Sequence, residues 1–217
     1  MSSTSYLRTA KFPTLDDGSG SRLPTPLRRI ATLIFLAIVC GLSSPTLPAA
    51  SNDHDPVLRE KLQAALLEPL YFEDQFEAEV WLTDMATRLA DRVPDPEERL
   101  EILTAVHREA ARVDLPPEMI LAVIDVESGF EPYAVSSANA QGLMQVMRFW
   151  LTELNMPGTA LLDIRENVRM GCTILRHYYD LENGNWTRAL ARYNGSVGRR
   201  EYADKVFTSQ RTRWFQQ

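Results

Sequence analysis

From residue 55 onward the chain is a series of apolar stripes at helical spacing, each bounded by residues that start or stop a helix. Asp55-Pro56 is a start signal, with aspartate as N-cap and proline at the first helical position. Leu58, Leu62, Ala65 and Leu66 follow at helical spacing. Phe76, Val80, Met85 and Leu89 predict a second helix over about 72–92. Pro94-Asp95-Pro96-Glu97-Glu98 breaks the chain and starts it afresh, with acids in the first turn. The third helix carries Leu100, Leu103, Val106 and Ala110. Leu115-Pro116-Pro117 breaks again, and a fourth helix runs to Ser128-Gly129. Residues 130–140 read as irregular, and a short helix is predicted from about Gly142 to Leu154. A long helix over about 165–182 sets Val168, Cys172, Leu175 and Tyr179 on one stripe, and Asn183-Gly184-Asn185 stops it. Helices over 186–193 and 202–214 close the chain. Strand-like alternation is scarce, so the predicted fold class is all-α.

Upstream the pattern is different. Residues 1–29 are polar and end in Arg28-Arg29, and an uncharged run of 13 residues, 30–42, follows. A spanning helix needs about 20 apolar residues, so this run is too short for an ordinary one. It fits the apolar region of a secretory signal, with Ala49-Ala50 as a cleavage zone; retained, it would be a membrane anchor. The expected location is therefore exported, periplasmic or associated with the cell envelope.

Charge and cysteine content narrow the function. Residues 1–50 hold five basic and two acidic residues, whereas the remainder holds 18 basic and 27 acidic ones. A nucleic-acid binder normally carries a basic patch or stripe, and this balance argues against one. The two cysteines, Cys40 and Cys172, lie one in the apolar run and one in the folded part, so no disulfide framework is readable. His54, His107 and His177 are far apart and no metal-ligand spacing is present. Neither a metal nor a cofactor is expected.

The fourth helix contains the residue with the clearest chemistry. Ile120, Ile124 and Glu127 are spaced i, i+4, i+7 and share one otherwise apolar face. A carboxylate there is desolvated, and it sits at a helix C-terminus, where the dipole disfavours negative charge. Both effects raise its pKa. A carboxylic acid protonated near neutral pH is what a glycosidase uses to protonate a leaving oxygen. Asp125 lies on another face of the helix.

The run Glu127-Ser-Gly-Phe-Glu-Pro-Tyr-Ala-Val-Ser136-Ser-Ala-Asn-Ala-Gln-Gly142-Leu-Met-Gln145-Val-Met147 resembles the soluble lytic transglycosylase family. That family pairs Glu with Ser, then has Pro and Ser, then Gly-Leu-Met-Gln with a Met two residues on. Three further stretches are similar to its later motifs, in order: Asn167-Val-Arg-Met-Gly171, Ala191-Arg-Tyr193-Asn194-Gly195 and Tyr202-Ala-Asp-Lys-Val206. The resemblance covers about 114–207.

The resemblance implies a lysozyme-like α-helical fold and one catalytic acid, Glu127. It would protonate the glycosidic oxygen between N-acetylmuramic acid and N-acetylglucosamine in peptidoglycan. It would then act as base on the muramyl 6-hydroxyl, which closes a 1,6-anhydro ring in an intramolecular attack. By the same resemblance, Ser136 would hydrogen-bond near Glu127 or the sugar's acetamido group. Gln145 and Met147 would line the sugar site, Tyr193 would point its hydroxyl at Glu127, and Asn194 would shape the cleft. Asn167 and Gly171, one turn apart, would serve helix packing.

The expected organisation is an export segment or anchor at 1–50 and a helical lead-in at 51–113 packed on a catalytic domain at 114–217. The chain departs from the family pattern at Arg148, where proline is usual, and in Gly195-Ser-Val-Gly198. The competing readings are a goose-type lysozyme, which delivers water to the same bond, and a non-catalytic peptidoglycan-binding protein.

Overall fold

In a computed structural model, residues 55–67 and 75–215 are described. The apolar run 30–42 and the cleavage zone at Ala49-Ala50 lie outside them. The helices are α1 (Pro56–Leu67), α2 (Gln75–Leu89), α3 (Pro96–Arg112), α4 (Pro117–Glu127), α5 (Phe149–Glu153), α6 (Ile164–Leu181), α7 (Trp186–Tyr193) and α8 (Glu201–Thr212). A 3₁₀ turn, Ala160–Leu162, precedes α6. The only regular strands among the described residues are two-residue pieces, β1 (Ala140–Gln141) and β2 (Val146–Met147). The fold is all-α, as the apolar stripes require.

The starts of the helices follow from side-chain chemistry. Asp55 Oδ1 accepts the Val57 and Leu58 amides at 2.9 and 3.1 Å. Asp95 Oδ1 does the same for Glu97 and Glu98 at 2.8 and 3.0 Å, and Asp163 for Arg165 and Glu166 at 3.0 Å each. Each cap satisfies amides that have no partner within the helix. Pro117 opens α4 without a side-chain cap. At the end of α6, Asn183 and Gly184 take φ of +52° and +79°, and the Gly184 amide returns to the Tyr179 carbonyl at 2.9 Å.

One core runs through the described helices. Leu58 and Leu62 of α1, Met85 and Leu89 of α2, and Leu103 and Val106 of α3 are buried together with Ile120 and Ile124 of α4 and Val168 and Leu175 of α6. α6 packs on α1, α3 and α7, and α4 packs on α3 and α8. Glu109, fully buried on α3, binds Arg112 at 2.6 Å and Arg169 of α6 at 3.0 Å. A buried carboxylate requires such pairing.

Three expectations need correction. Val80 and Leu100, placed on apolar stripes, are 73% and 53% exposed. Leu100 lies past the edge of the arc that buries Ile102, Leu103, Val106 and Ala110 on α3. The helix expected over Gly142–Leu154 is mostly a hairpin, with Ala140 opposite Met147 and Gln141 opposite Val146; only α5 is helical. The cause is Asn167 of α6. Its Oδ1 accepts the Met144 amide at 2.8 Å, and its Nδ2 donates to the carbonyls of Gln141 and Leu161, both at 2.8 Å. Those tertiary bonds take the place of an i to i−4 ladder, and Gly142 and Gln145 adopt φ of +76° and +48°.

Candidate active site

Glu127 is the last residue of α4, and the chain turns away immediately after it. Gly129 and Phe130 take φ of +60° and +74°. The Ser128 hydroxyl donates to the Leu143 carbonyl at 2.8 Å and accepts the Phe130 amide at 3.2 Å. Ser128 therefore joins the end of α4 to the Gly142–Gln145 turn. The same turn is anchored from α6 by Asn167. One helical turn on, Gly171 leaves the space that Met144 fills; a Cβ there would come within 2.4 Å of its sulfur. Asn167 and Gly171 thus hold the turn against α6, a larger role than helix packing.

The Glu127 carboxyl accepts a hydrogen bond from the Tyr202 hydroxyl of α8, at 2.6 Å on Oε1. Burial pushes its pKa up to about 7, with the Tyr202 hydrogen bond acting in the opposite sense. The acid is therefore partly protonated near neutral pH and retains a partner able to stabilise its ionised form. Both properties suit a group that donates a proton and takes one back. The Tyr202 and Tyr193 phenols are pushed well above their ordinary range, by burial first and then by the charge of Glu127. Both are protonated, and Tyr202 serves as a hydrogen-bond donor.

The expected partner residues take the following places. The Tyr193 hydroxyl donates to the Met144 carbonyl at 2.8 Å, and the phenol that hydrogen-bonds to Glu127 is Tyr202. The Ser136 hydroxyl accepts the Ala140 amide at 3.0 Å and closes its own loop, while the Glu127 bond comes from Tyr202. Gln145 donates from Nε2 to the carbonyls of Ala134 and Gly142, at 3.2 and 3.0 Å, and so braces the loop from within. Met147 follows on β2 and is 39% exposed. Asn194 is exposed at the C-terminal cap of α7.

Arg148, at the proline position of the family pattern, donates its amide to the Asn139 carbonyl at 3.2 Å. Proline could not make this bond. The sequence places Tyr202 in a motif without giving it a task and leaves Ser128 unassigned. That motif is the one signal in the sequence that points to Tyr202.

The all-α fold thus carries a half-buried carboxyl, hydrogen-bonded to a phenol, at the end of a helix, and family comparison places the chain. Residues 104–214, just over half of the chain, match the transglycosylase SLT domain, and the chain belongs to that family. It is 51% identical over 47 residues to membrane-bound lytic murein transglycosylase C of Actinobacillus pleuropneumoniae, covering 22% of this chain and 13% of that protein. With the protein of the same name from Pectobacterium atrosepticum it shares 32% identity over 127 residues, covering 51% of this chain and 35% of the relative. The chain thus spans about a third or less of the length of these relatives. An inactive mutant of lytic transglycosylase Slt from Pseudomonas aeruginosa is similar with a TM-score of 0.40 at 18% identity, over 72% of this chain and 33% of that one.

Proposed function

We propose that this protein is a peptidoglycan lytic transglycosylase that cuts the β-1,4 bond between N-acetylmuramic acid and N-acetylglucosamine, with Glu127 as its single acid and base. The observation that carries the reading is the Glu127 carboxyl itself, raised to about 7 and bonded to a phenol donor. At neutral pH a useful fraction is protonated and can be given to the glycosidic oxygen. The Tyr202 hydroxyl then stabilises the carboxylate left behind. That carboxylate takes the proton of the muramyl 6-hydroxyl as its oxygen attacks C1. Water is not consumed, and the attack gains from being intramolecular.

The surroundings of Glu127 support a single-acid route. Asp125 is engaged by Arg92 and Arg213. Glu131 is exposed, and its Oε1 accepts the Tyr133 amide at 3.2 Å. A two-carboxylate glycosidase would place its second group across the scissile bond. Gln145 and Met147, on the loop braced by Ser128 and Asn167, are proposed to line the sugar site, and Ser136 and Asn194 to shape its edges. Tyr193 is proposed to position Met144 beneath it. Peptidoglycan strands are the proposed substrate and the cell envelope the proposed location. Among the described residues no helix is long and apolar enough to cross a membrane.

The test is mass spectrometry of purified peptidoglycan digested with the protein, beside Glu127→Gln. Anhydro products about 18 Da lighter than hydrated ones, made by wild type only, are expected for the intramolecular route. Hydrated reducing ends would instead indicate a lysozyme. The absence of soluble products from either protein would indicate a binding module.

A further inference from the structure

Two residues before Glu127, on another face of α4, lies a more deeply buried carboxylate to which the proposed reaction gives no task. The Asp125 side chain is only 3% exposed. Its Oδ1 accepts Arg92 Nη1 at 2.5 Å, and its Oδ2 accepts Arg213 Nη1 at 2.5 Å, the Ser209 hydroxyl, and Trp214 Nε1 at 3.4 Å. Trp214 Nε1 also donates to Ser209 Oγ at 3.0 Å, and its ring packs on Phe130 with centroids 5.2 Å apart. These groups come from the turn after α2, from α8 and from the segment following α8. Tyr202, Val206 and Ser209 share the buried face of α8 at i, i+4, i+7. The end of α8 that grips Asp125 is thus rigidly connected to the end that reaches Glu127.

We propose that Asp125 is a positioning residue: it latches α8 onto the catalytic helix and thereby holds the Tyr202 hydroxyl on Glu127. The proposal rests on Glu127 being the acid. It predicts a specific sign. Glu127 is faced by Tyr202 from α8 and Tyr193 from α7, while the buried Glu109 of α3 is engaged by Arg112 and Arg169. Of these, the Tyr202 hydrogen bond favours the ionised form, so loosening it moves the Glu127 titration upward. Removing the negative charge of Asp125 acts directly in the opposite direction, because a nearby like charge disfavours ionisation.

The experiment follows the titration of Glu127 by carbon-13 NMR of the carboxyl, and the pH dependence of peptidoglycan cleavage, in Asp125→Asn, Tyr202→Phe and the double variant. Both single variants should move the Glu127 midpoint upward, by about one pH unit, with a several-fold loss in kcat and an unchanged KM. In the Tyr202→Phe background Asp125→Asn should give no further upward shift, because only the direct charge effect, which is downward, is left. A midpoint that stays fixed or moves downward in Asp125→Asn, or shifts that add in the double variant, would overturn the proposal. Ser209→Ala, which removes one donor and keeps all charges, should shift the midpoint in the same direction and serves if Asp125→Asn does not fold. If no protein cleaves peptidoglycan, the functional reading fails, while the NMR titration still decides the role of Asp125.

Discussion

Glu127 works against the stability of the fold that holds it. Its pKa is raised to about 7 in the native protein and is near 4.5 in an unfolded chain. A raised carboxyl contributes no penalty below the unfolded value. The penalty grows as pH rises and is complete above the folded value, where it reaches about 3 kcal/mol. Glu127→Gln, which keeps an acceptor for Tyr202 and removes the charge, should therefore unfold at higher temperature than wild type at pH 8. The gain should vanish at pH 4, and calorimetry at the two pH values measures it. A Glu127→Gln protein no more stable than wild type at pH 8 would mean that the carboxyl is solvated. Glu127 stood out in the sequence as the proposed acid because a carboxylate on an apolar helical stripe is costly to keep and because it opens the run that resembles the family's motif. The tyrosine that serves it did not. Tyr193 and Tyr202 are nine residues apart on separate helices, and only the packing of α7 and α8 decides which hydroxyl reaches Oε1.

At the scale of elements, the loop that carries the proposed sugar contacts depends on one buried amide. Asn167 satisfies three backbone groups, of Met144, Gln141 and Leu161. Leaving even one buried group unpaired costs about 1–3 kcal/mol. Asn167→Ala should lower stability by at least about 3 kcal/mol, read as a lower urea midpoint, and should reduce activity even at temperatures where the variant stays folded. Asn167→Asp keeps the shape of the side chain but cannot donate to both carbonyls, so it should not restore the loss. The start at Asp55 was legible because its cap is local, and the caps at Asp95 and Asp163 have the same form, bonding amides two and three residues ahead. The 140–147 hairpin was not legible. Its bonds go to a side chain more than twenty residues away, and its local sequence, Gly-Leu-Met-Gln-Val-Met, carries no strong turn signal of its own.

For the molecule as a whole, the family match begins at residue 104, yet the core begins at Leu58. α1 packs on α6 through Leu58, Leu62 and Ala65, and His177 of α6 binds Asp55 at 2.8 Å. Each buried leucine contributes about 2 kcal/mol, against a typical total stability of about 5–15 kcal/mol. A chain beginning at Asp95 keeps every motif of the proposed site but loses Leu58, Leu62, Met85 and Leu89. It should bind a hydrophobic dye and unfold without a cooperative transition, whereas a stable fragment would show that the first two helices are dispensable. From the sequence alone came most of the helices, the all-α class, the family and the choice of Glu127 as the proposed acid, because each rests on local spacing or on motifs contiguous in the chain. Tertiary structure alone decided which side chains of the early helices enter the shared core, which tyrosine meets Glu127, and what Asp125 and Asn167 hold. Those contacts join residues far apart in sequence, and only the packed geometry of α4, α6 and α8 brings their atoms within bonding distance.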